Sequence, residues 1–140
     1  MSETTVLVTS AGTASGVNVI RSLRIADART RIVATDMDPW AAGIHLADRG
    51  FVSPAASSPA FEPFLFDLVA REKISAVFPI HSSEIAIVAA LSPKLKANGV
   101  HSLLASACAV RACDDKRGMS IKAGELGIGV PVVYNSDATC

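Results

Sequence analysis

The sequence predicts an α/β fold: a single Rossmann-like domain whose parallel sheet is covered by helices on both faces. Short β-branched runs alternate with helical patterns along the chain, and a glycine-containing loop follows the first of these runs. The chain has 140 residues, the usual size of one domain, and 50% of them are hydrophobic, which is enough to build a continuous core.

Five strands are predicted from short apolar runs bounded by turn residues. In chain order they cover residues 5–9, 31–35, 51–52, 75–80 and 100–104. The first is β-branched and uncharged, as expected of a central strand that is buried on both faces. Pro79 fits near the end of the fourth strand, where a missing backbone donor does least harm. A further extended segment is predicted from Gly129 to Tyr134.

Helical patterns fill the intervals between the strands. They cover residues 17–24, a short turn after Asp38-Pro39, and residues 61–69, 83–91, 107–113 and 115–126. In the third of these, apolar residues recur at the i, i+3, i+4, i+7 and i+8 spacing of an amphipathic helix. Pro93 is expected to interrupt the fourth helix and restart it as a second turn, which ends at Asn98-Gly99. Alternating strands and helices imply right-handed crossovers and a parallel sheet.

Composition narrows the classes of function. Lys plus Arg and Asp plus Glu number 13 each, so no net charge draws the chain to nucleic acid or anionic lipid. No secretory signal or membrane-spanning run is visible, and we expect a cytoplasmic protein. Cys108, Cys113 and Cys140 form an odd set without a C-x-x-C pair, which favours reduced thiols over a disulfide frame or a metal site.

Candidate ligand-binding residues lie where strands end, because ligands of open parallel sheets bind beyond the carboxyl ends of the strands. The first group is the glycine loop after the first strand. Its backbone N–H groups and the hydroxyls of Ser10, Thr13 and Ser15 are candidate hydrogen-bond donors to a bound phosphate or carboxylate. The structural alternative is that Gly12 and Gly16 only permit a tight turn and a close contact between helix and strand.

Asp36 ends the second strand, twenty residues after Gly16, where a dinucleotide-binding fold holds its ribose-binding carboxylate. Asp36-Met37-Asp38-Pro39 is equally a turn and cap sequence. The glycine pattern departs from G-x-G-x-x-G. A complete short-chain dehydrogenase is excluded because the only tyrosine, Tyr134, is not followed by lysine four residues later.

His81, Ser83 and Glu84 follow the fourth strand and open a helix. They bring an imidazole, a hydroxyl and a carboxylate to the ligand edge of the sheet. Capping of the helix by Ser82 or Ser83 is the simpler structural role. No nucleophile, base and acid can be assigned among these residues from sequence.

Several of these pieces together resemble the start of ATP-grasp proteins. The matching stretches are residues 6–9 with the Gly12/Gly16 loop, 33–36 with Asp38-Pro39, 41–48, 76–79, 113–116 and 125–131. In the last two, an Asp-Lys pair opens a helix that ends in a Gly-Ile-x-x-Pro-like turn. The chain therefore resembles the N-terminal, pre-ATP-grasp domain of an ATP-grasp ligase similar to the carbamoyl-phosphate synthase large chain.

This resemblance implies a function for the full-length family. ATP-grasp ligases use ATP and magnesium to phosphorylate a small-molecule carboxylate, which an amine or another nucleophile then attacks. The resemblance implies that the N-terminal domain shapes the substrate side, that later subdomains clamp the nucleotide, and that Lys116 reaches toward the ATP phosphates. Residues 1–113 would be the pre-ATP-grasp domain, and residues 114–140 would begin the connection to an ATP-grasp domain that the chain lacks.

On this reading the chain is not catalytic alone, and its partners are the ATP-grasp domain and the substrate. Two other interpretations stay open. The first is a stand-alone nucleotide- or NAD(P)-binding module that uses the Gly12 loop and Asp36. The second is a ligand-free domain that forms homodimers through apolar surface.

Overall fold

Five parallel strands form one sheet in the computed structural model, which describes residues 4–131. They are β1 (Thr5–Val8), β2 (Arg31–Asp36), β3 (Arg49–Val52), β4 (Ala76–Phe78) and β5 (His101–Ser102). Their spatial order is β3-β2-β1-β4-β5, so β1 is central, as its uncharged, β-branched sequence predicts. The chain leaves β1 toward β2 on one side and returns to β4 on the other, which places a topological switch point at the end of β1.

Six helices join and follow the strands in the described part of the chain. They are α1 (Ala14–Ala26), α2 (Ala42–Leu46), α3 (Phe61–Glu72), α4 (Ser82–Ala97), α5 (Ala107–Asp114) and α6 (Lys116–Glu125). Each predicted helical segment is present, and the Rossmann-like α/β fold is confirmed. The start of α2 differs from the prediction, because Ala41 precedes the helix and Asp38 accepts a hydrogen bond from the backbone N–H of Trp40 at 2.9 Å. Asp38 therefore holds a turn and does not cap the helix.

The sheet carries a separate apolar cluster on each face, because successive strand residues point to opposite sides. Leu7, Val33 and Val77 pack with α3 and α4 on one face. Val8 and Ile32 pack with α1 on the other. All five side chains are fully buried, and each contributes about 1.5–3 kcal/mol by leaving water.

Helix α4 continues through Pro93, where the sequence predicts an interruption. Proline removes one backbone donor and crowds the preceding turn. Leu91 and Leu95 are buried on either side of it, and the Ser92 hydroxyl donates to the carbonyl oxygen of Val88 at 3.1 Å. Packing of the helix on the sheet thus offsets the cost of the proline.

The chain divides into two compact units, Met1–Leu104 and Ala105–Cys140. Helices α5 and α6 make up the second unit in its described part, and neither contains a buried residue. The domain boundary predicted after Cys113 lies inside α5 and stays a prediction. The extended segment predicted up to Tyr134 runs beyond the described residues. No helix within residues 4–131 is long and apolar enough to cross a membrane.

Candidate functional site

A carboxylate from α4 meets two hydroxyls at the end of the central strand. The Oγ1 of Thr9 and the Oγ of Ser10 both donate hydrogen bonds to Oε2 of Glu84, the second of them over 2.8 Å. Glu84 is 5% exposed and lies in the first turn of α4, where the positive end of the helix dipole favours a carboxylate. This arrangement forms a buried polar site at the switch point of the sheet.

Ser10 takes a left-handed backbone conformation, with a φ of 48°. Such a conformation costs a residue with a side chain roughly 1–2 kcal/mol, and it recurs at functional sites. Here it turns the chain out of β1 and brings the Ser10 hydroxyl to Glu84. Gly12 and Gly16 do not have a positive φ, so the strained position of the loop is a serine.

Asp36 closes the glycine loop from the side of β2. Its Oδ2 accepts a hydrogen bond from the backbone N–H of Gly12 at 2.8 Å, and its Oδ1 accepts one from the N–H of Asp38 at 3.0 Å. Both carboxylate oxygens are thus engaged within the protein. The Gly12 N–H, which the sequence offers to a phosphate, already has an anionic partner.

The two glycines of the loop are required by close packing. A Cβ at Gly16 would lie 2.7 Å from the Cα of Ala11 and from the carbonyl oxygen of Ser10. A Cβ at Gly12 would lie 2.7 Å from that of Ala41. The Thr13 hydroxyl caps α1 by accepting from the N–H of Gly16 at 3.0 Å. These contacts fit the structural alternative for Gly12 and Gly16, and they give Thr13 the role of a helix cap.

The helix cap at the start of α4 is a histidine. The Nδ1 of His81 accepts a hydrogen bond from the backbone N–H of Ser83 at 3.3 Å and lies 2.8 Å from the hydroxyl of Ser83. The sequence predicts Ser82 or Ser83 as the cap, and that prediction is wrong. His81 and Ser83 are exposed, whereas Glu84, in the same turn at the start of α4, is buried.

Three buried hydroxyl residues lie at the carboxyl ends of neighbouring strands on the α3/α4 face. Thr9, Thr35 and Ser53 are 1%, 2% and 5% exposed. Strand alternation places them on the face of Leu7, Val33 and Phe51. The Ser53 Oγ is buried without a hydrogen-bond partner in the described structure. A polar row therefore crosses β1, β2 and β3 above the apolar cluster.

Some of the predicted site residues come together and others do not. Ser10 meets Glu84, Gly12 meets Asp36, and His81 meets Ser83, whereas Ser15 is exposed on the first turn of α1. Lys116 is exposed at the first residue of α6, in the second compact unit. Sequence analysis missed Thr9 and Ser53; the available signal is a hydroxyl residue that directly follows a buried strand.

The described residues do not form a complete site for ATP and magnesium. No group of three or more His, Cys, Asp or Glu side chains lies close enough to hold a metal within residues 4–131. The Gly12 N–H is occupied by Asp36. Lys116 has the charge to meet a phosphate, and no acidic metal site accompanies it among the described residues.

Solved structures share this fold at low sequence identity. The biotin carboxylase subunit of pyruvate carboxylase matches 97% of this chain and 30% of its own, with 21% identity and a TM-score of 0.64. Glycinamide-RNase-transformylase T from Mycobacterium tuberculosis matches 93% of this chain and 37% of its own, with 14% identity and a TM-score of 0.64. The chain therefore spans about a third of the length of these structures.

A third match is the biotin carboxylase domain dimer of Hydrogenobacter thermophilus 2-oxoglutarate carboxylase, solved with MgADP, ADP and bicarbonate. It shares 20% identity and a TM-score of 0.64 over 95% of this chain and 29% of that chain. At this identity the likeness establishes the fold. Comparison with curated protein sequences finds no match.

A family model matches the part of the chain that contains this buried polar site. The model described as "PylC-like, N-terminal domain" matches residues 6–103, which include the whole sheet and α1 to α4. Together with the shared fold, it confirms the predicted likeness to the N-terminal, pre-ATP-grasp domain of ATP-grasp enzymes, although no match singles out the carbamoyl-phosphate synthase large chain. The chain belongs to the family of PylC-like N-terminal domains.

Proposed function

We propose that this chain is the N-terminal, substrate-side domain of an ATP-dependent carboxylate–amine ligase of the ATP-grasp class, and that it is not catalytic alone. The observation that carries the proposal is the buried polar site formed by Thr9, Ser10 and Glu84 at the switch point of the sheet. This site lies within the part of the chain that the family model matches. Among such ligases, the sequence resemblance favours chemistry related to that of the carbamoyl-phosphate synthase large chain.

The domain's contribution is to bind and orient a small-molecule substrate. Holding a reactant in one geometry removes much of the entropic barrier to its reaction, so a binding domain accelerates ligation without touching the nucleotide. Glu84 is fixed by two hydroxyl donors, and the exposed His81 and Ser83 lie in the same turn at the start of α4. In the whole ligase, ATP and magnesium supply the activation of the carboxylate.

Nucleotide binding is assigned to the segment that would follow this domain. Support comes from the glycine loop, whose Gly12 N–H is satisfied by Asp36 and is not free for a phosphate. The same contact weighs against an NAD(P)-binding module, because both oxygens of Asp36 accept backbone hydrogen bonds that a ribose would have to displace. We propose that Lys116, exposed at the start of α6, meets the ATP phosphates once that segment is in place.

Calorimetric titration of the 140-residue chain with Mg-ATP, NAD and NADP under one set of conditions tests this assignment. We expect no tight binding of any of the three. Tight binding of NAD or NADP overturns the proposal in favour of a cofactor module. Tight binding of Mg-ATP contradicts the assignment of the nucleotide to a following segment.

The role of Lys116 needs a longer polypeptide in which this domain is followed by an ATP-grasp segment. There, Lys116→Ala should weaken Mg-ATP binding by about tenfold or more, because it removes a charge-assisted contact with the phosphates. Lys122→Ala, on the same helix, is the matched control and should leave the affinity unchanged. If the Lys116 variant binds Mg-ATP as tightly as the unaltered protein does, Lys116 does not contact the ATP phosphates.

A further inference from the structure

Glu84 is a buried carboxylate that has no cationic partner in the described chain. Its side chain is 5% exposed, and none of the ion pairs within residues 4–131 includes it. Its two hydrogen bonds, from Thr9 and Ser10, both reach Oε2. Glutamate is seldom buried unless it is paired, because removing its charge from water is costly. Oε1 of Glu84 is therefore an acceptor that no hydrogen bond from the described residues uses.

The charges around Glu84 favour a cation as well. The segments that end β1, β2 and β4, residues 9–16, 36–41 and 79–84, contain three carboxylates and neither lysine nor arginine. An anionic ligand would meet Glu84 and Asp36 without a lysine or arginine from these segments, in which His81 is the one basic side chain. The backbone donor that would best serve an anion, the Gly12 N–H, is already bonded to Asp36.

One buried polar atom further along the same face lacks a partner in the described structure. The hydroxyl oxygen of Ser53 is buried and makes no hydrogen bond in the described structure. Ser53 lies two strands from Thr9, or about 10 Å at the usual spacing between strands. Buried polar atoms nearly always have a partner, from the protein or from a bound molecule. At this edge the Ser53 hydroxyl is thus buried without a partner, and Oε1 of Glu84 accepts no hydrogen bond from the described residues.

The composition of the site distinguishes an organic cation from a metal ion. Calcium takes six to eight oxygen ligands, commonly from several carboxylates, and magnesium requires near-ideal octahedral geometry. Within residues 4–131, no three metal-ligating side chains of the His, Cys, Asp or Glu type cluster together. A primary ammonium group needs up to three acceptors, which Oε1 of Glu84 and the hydroxyl oxygens of Thr9 and Ser10 offer.

We propose that Glu84 binds the primary ammonium group of a small-molecule substrate, so that this domain holds an amine-bearing reactant. Thr9 and Ser10 position the carboxylate through its Oε2, and Oε1 receives the ammonium. This inference rests on the proposed function and specifies its substrate class. It defines what the domain contributes to a ligation: recognition of a positively charged group at the end of the central strand.

The test uses three probes of equal carbon length and different charge on the 140-residue chain: 1,4-diaminobutane, 1,4-butanediol and succinate. Backbone amide signals in NMR titrations report weak binding residue by residue. We expect diaminobutane to shift the signals of Ser10 and Glu84 saturably, and butanediol and succinate to leave them unchanged. Glu84→Gln should weaken diaminobutane binding by about tenfold or more, because a charged hydrogen bond is lost.

Glu62→Gln is the matched control, because Glu62 is partly exposed on α3 and already pairs with Lys94 at 2.6 Å. This variant should bind diaminobutane as the unaltered chain does. The inference is overturned by equal affinities in the Glu84 variant and the unaltered chain, or by succinate binding in preference to diaminobutane. If the Glu84 variant does not fold, the binding of the three probes to the unaltered chain still tests whether the site selects a positively charged group.

Failure of this inference is distinguishable from failure of the proposed function. Absence of diaminobutane binding, together with absence of Mg-ATP, NAD and NADP binding, overturns the amine assignment alone. Tight NAD or NADP binding overturns the ligase assignment whatever the diamine does.

Discussion

The hydroxyl of Ser10 donates a 2.8 Å hydrogen bond to the carboxylate of Glu84, a residue 74 positions further along the chain. The contact is possible because β4, which leads into α4, lies directly beside β1 in the sheet. Ser10 adopts a φ of 48° to make it. The strained backbone of Ser10 and the buried carboxylate of Glu84 are therefore joined by one contact. This contact is the reason for assigning the site to the carboxyl end of β1.

Replacing Gly16 by alanine should strongly destabilise the first compact unit. The added methyl would lie 2.7 Å from two backbone atoms, which cannot move aside as a flexible side chain would. We expect a loss of roughly 1–3 kcal/mol in the free energy of unfolding, measured by urea denaturation. Gly124→Ala in α6, where a methyl meets nothing within 4 Å, should cause no loss. Equal effects of the two substitutions would contradict the packing role of Gly16.

Removing the hydroxyl of Ser53 should stabilise the ligand-free chain. An unpaired buried polar atom costs about 1–3 kcal/mol, so Ser53→Ala is expected to raise the free energy of unfolding by up to that amount. Ser92→Ala is the opposite case. It removes hydrogen bonds to Val88 and Ser102 and should lower the same quantity. A loss of stability in the Ser53 variant would mean that its hydroxyl has a bonding partner in solution.

The histidine cap of α4 should tolerate asparagine and not alanine. His81→Ala removes the side-chain acceptor for the N–H of Ser83 and should cost about 0.5–2 kcal/mol. His81→Asn keeps an acceptor at that position and should retain most of the stability. Thermal unfolding of both variants at pH 8 tests the role. If the two variants unfold at the same temperature, capping does not explain the contribution of His81 to stability.

Acid should destabilise the first compact unit by protonating Glu72. The hydrogen bond from Arg31, with ion pairing to the same guanidinium, holds the pKa of Glu72 below its ordinary value of 4.5, although burial opposes the shift. The pair therefore stabilises the fold fully above pH 4.5, and this stabilisation is lost as the pH falls through the lowered pKa. Urea midpoints measured from pH 7 to pH 3 should fall less steeply for Glu72→Gln than for the unaltered chain. The partly exposed Glu62→Gln is the control, and parallel curves for the Glu72 variant and the unaltered chain would exclude this role.

The order of strands and helices could be predicted from sequence because each element has a strong local pattern. Residues 61–69 repeat apolar side chains at helical spacing, and residues 5–9 have the β-branched composition of a buried strand. Both elements are present at those places. A local sequence pattern is enough to predict a helix or strand whose conformation is determined by its own residues.

The prediction at Pro93 was wrong because tertiary packing overrode a local signal. The buried residues Leu91 and Leu95 hold α4 against the sheet on both sides of the proline. No pattern within the segment itself reports how much apolar surface its neighbours will cover.

The candidate site could be predicted only in outline. Sequence placed Ser10, Asp36 and Glu84 at one edge because they follow strands, and it could not pair them. The pairing of Ser10 with Glu84 depends on β1 and β4 being neighbours, and that of Asp36 with Gly12 depends on where the loop lies against β2. Thr9 was missed because it ends an apolar run and reads as part of the strand.

The distribution of buried residues has a consequence for how the protein is made. Within residues 4–131, all of the buried side chains lie between Thr5 and Val100, and the last strand ends at Ser102. Domains fold as units during synthesis, with the N-terminal one first, at about 5–20 residues per second. The sheet and the Glu84 site draw no buried residue from α5 or α6, so they can form during synthesis before those two helices have folded.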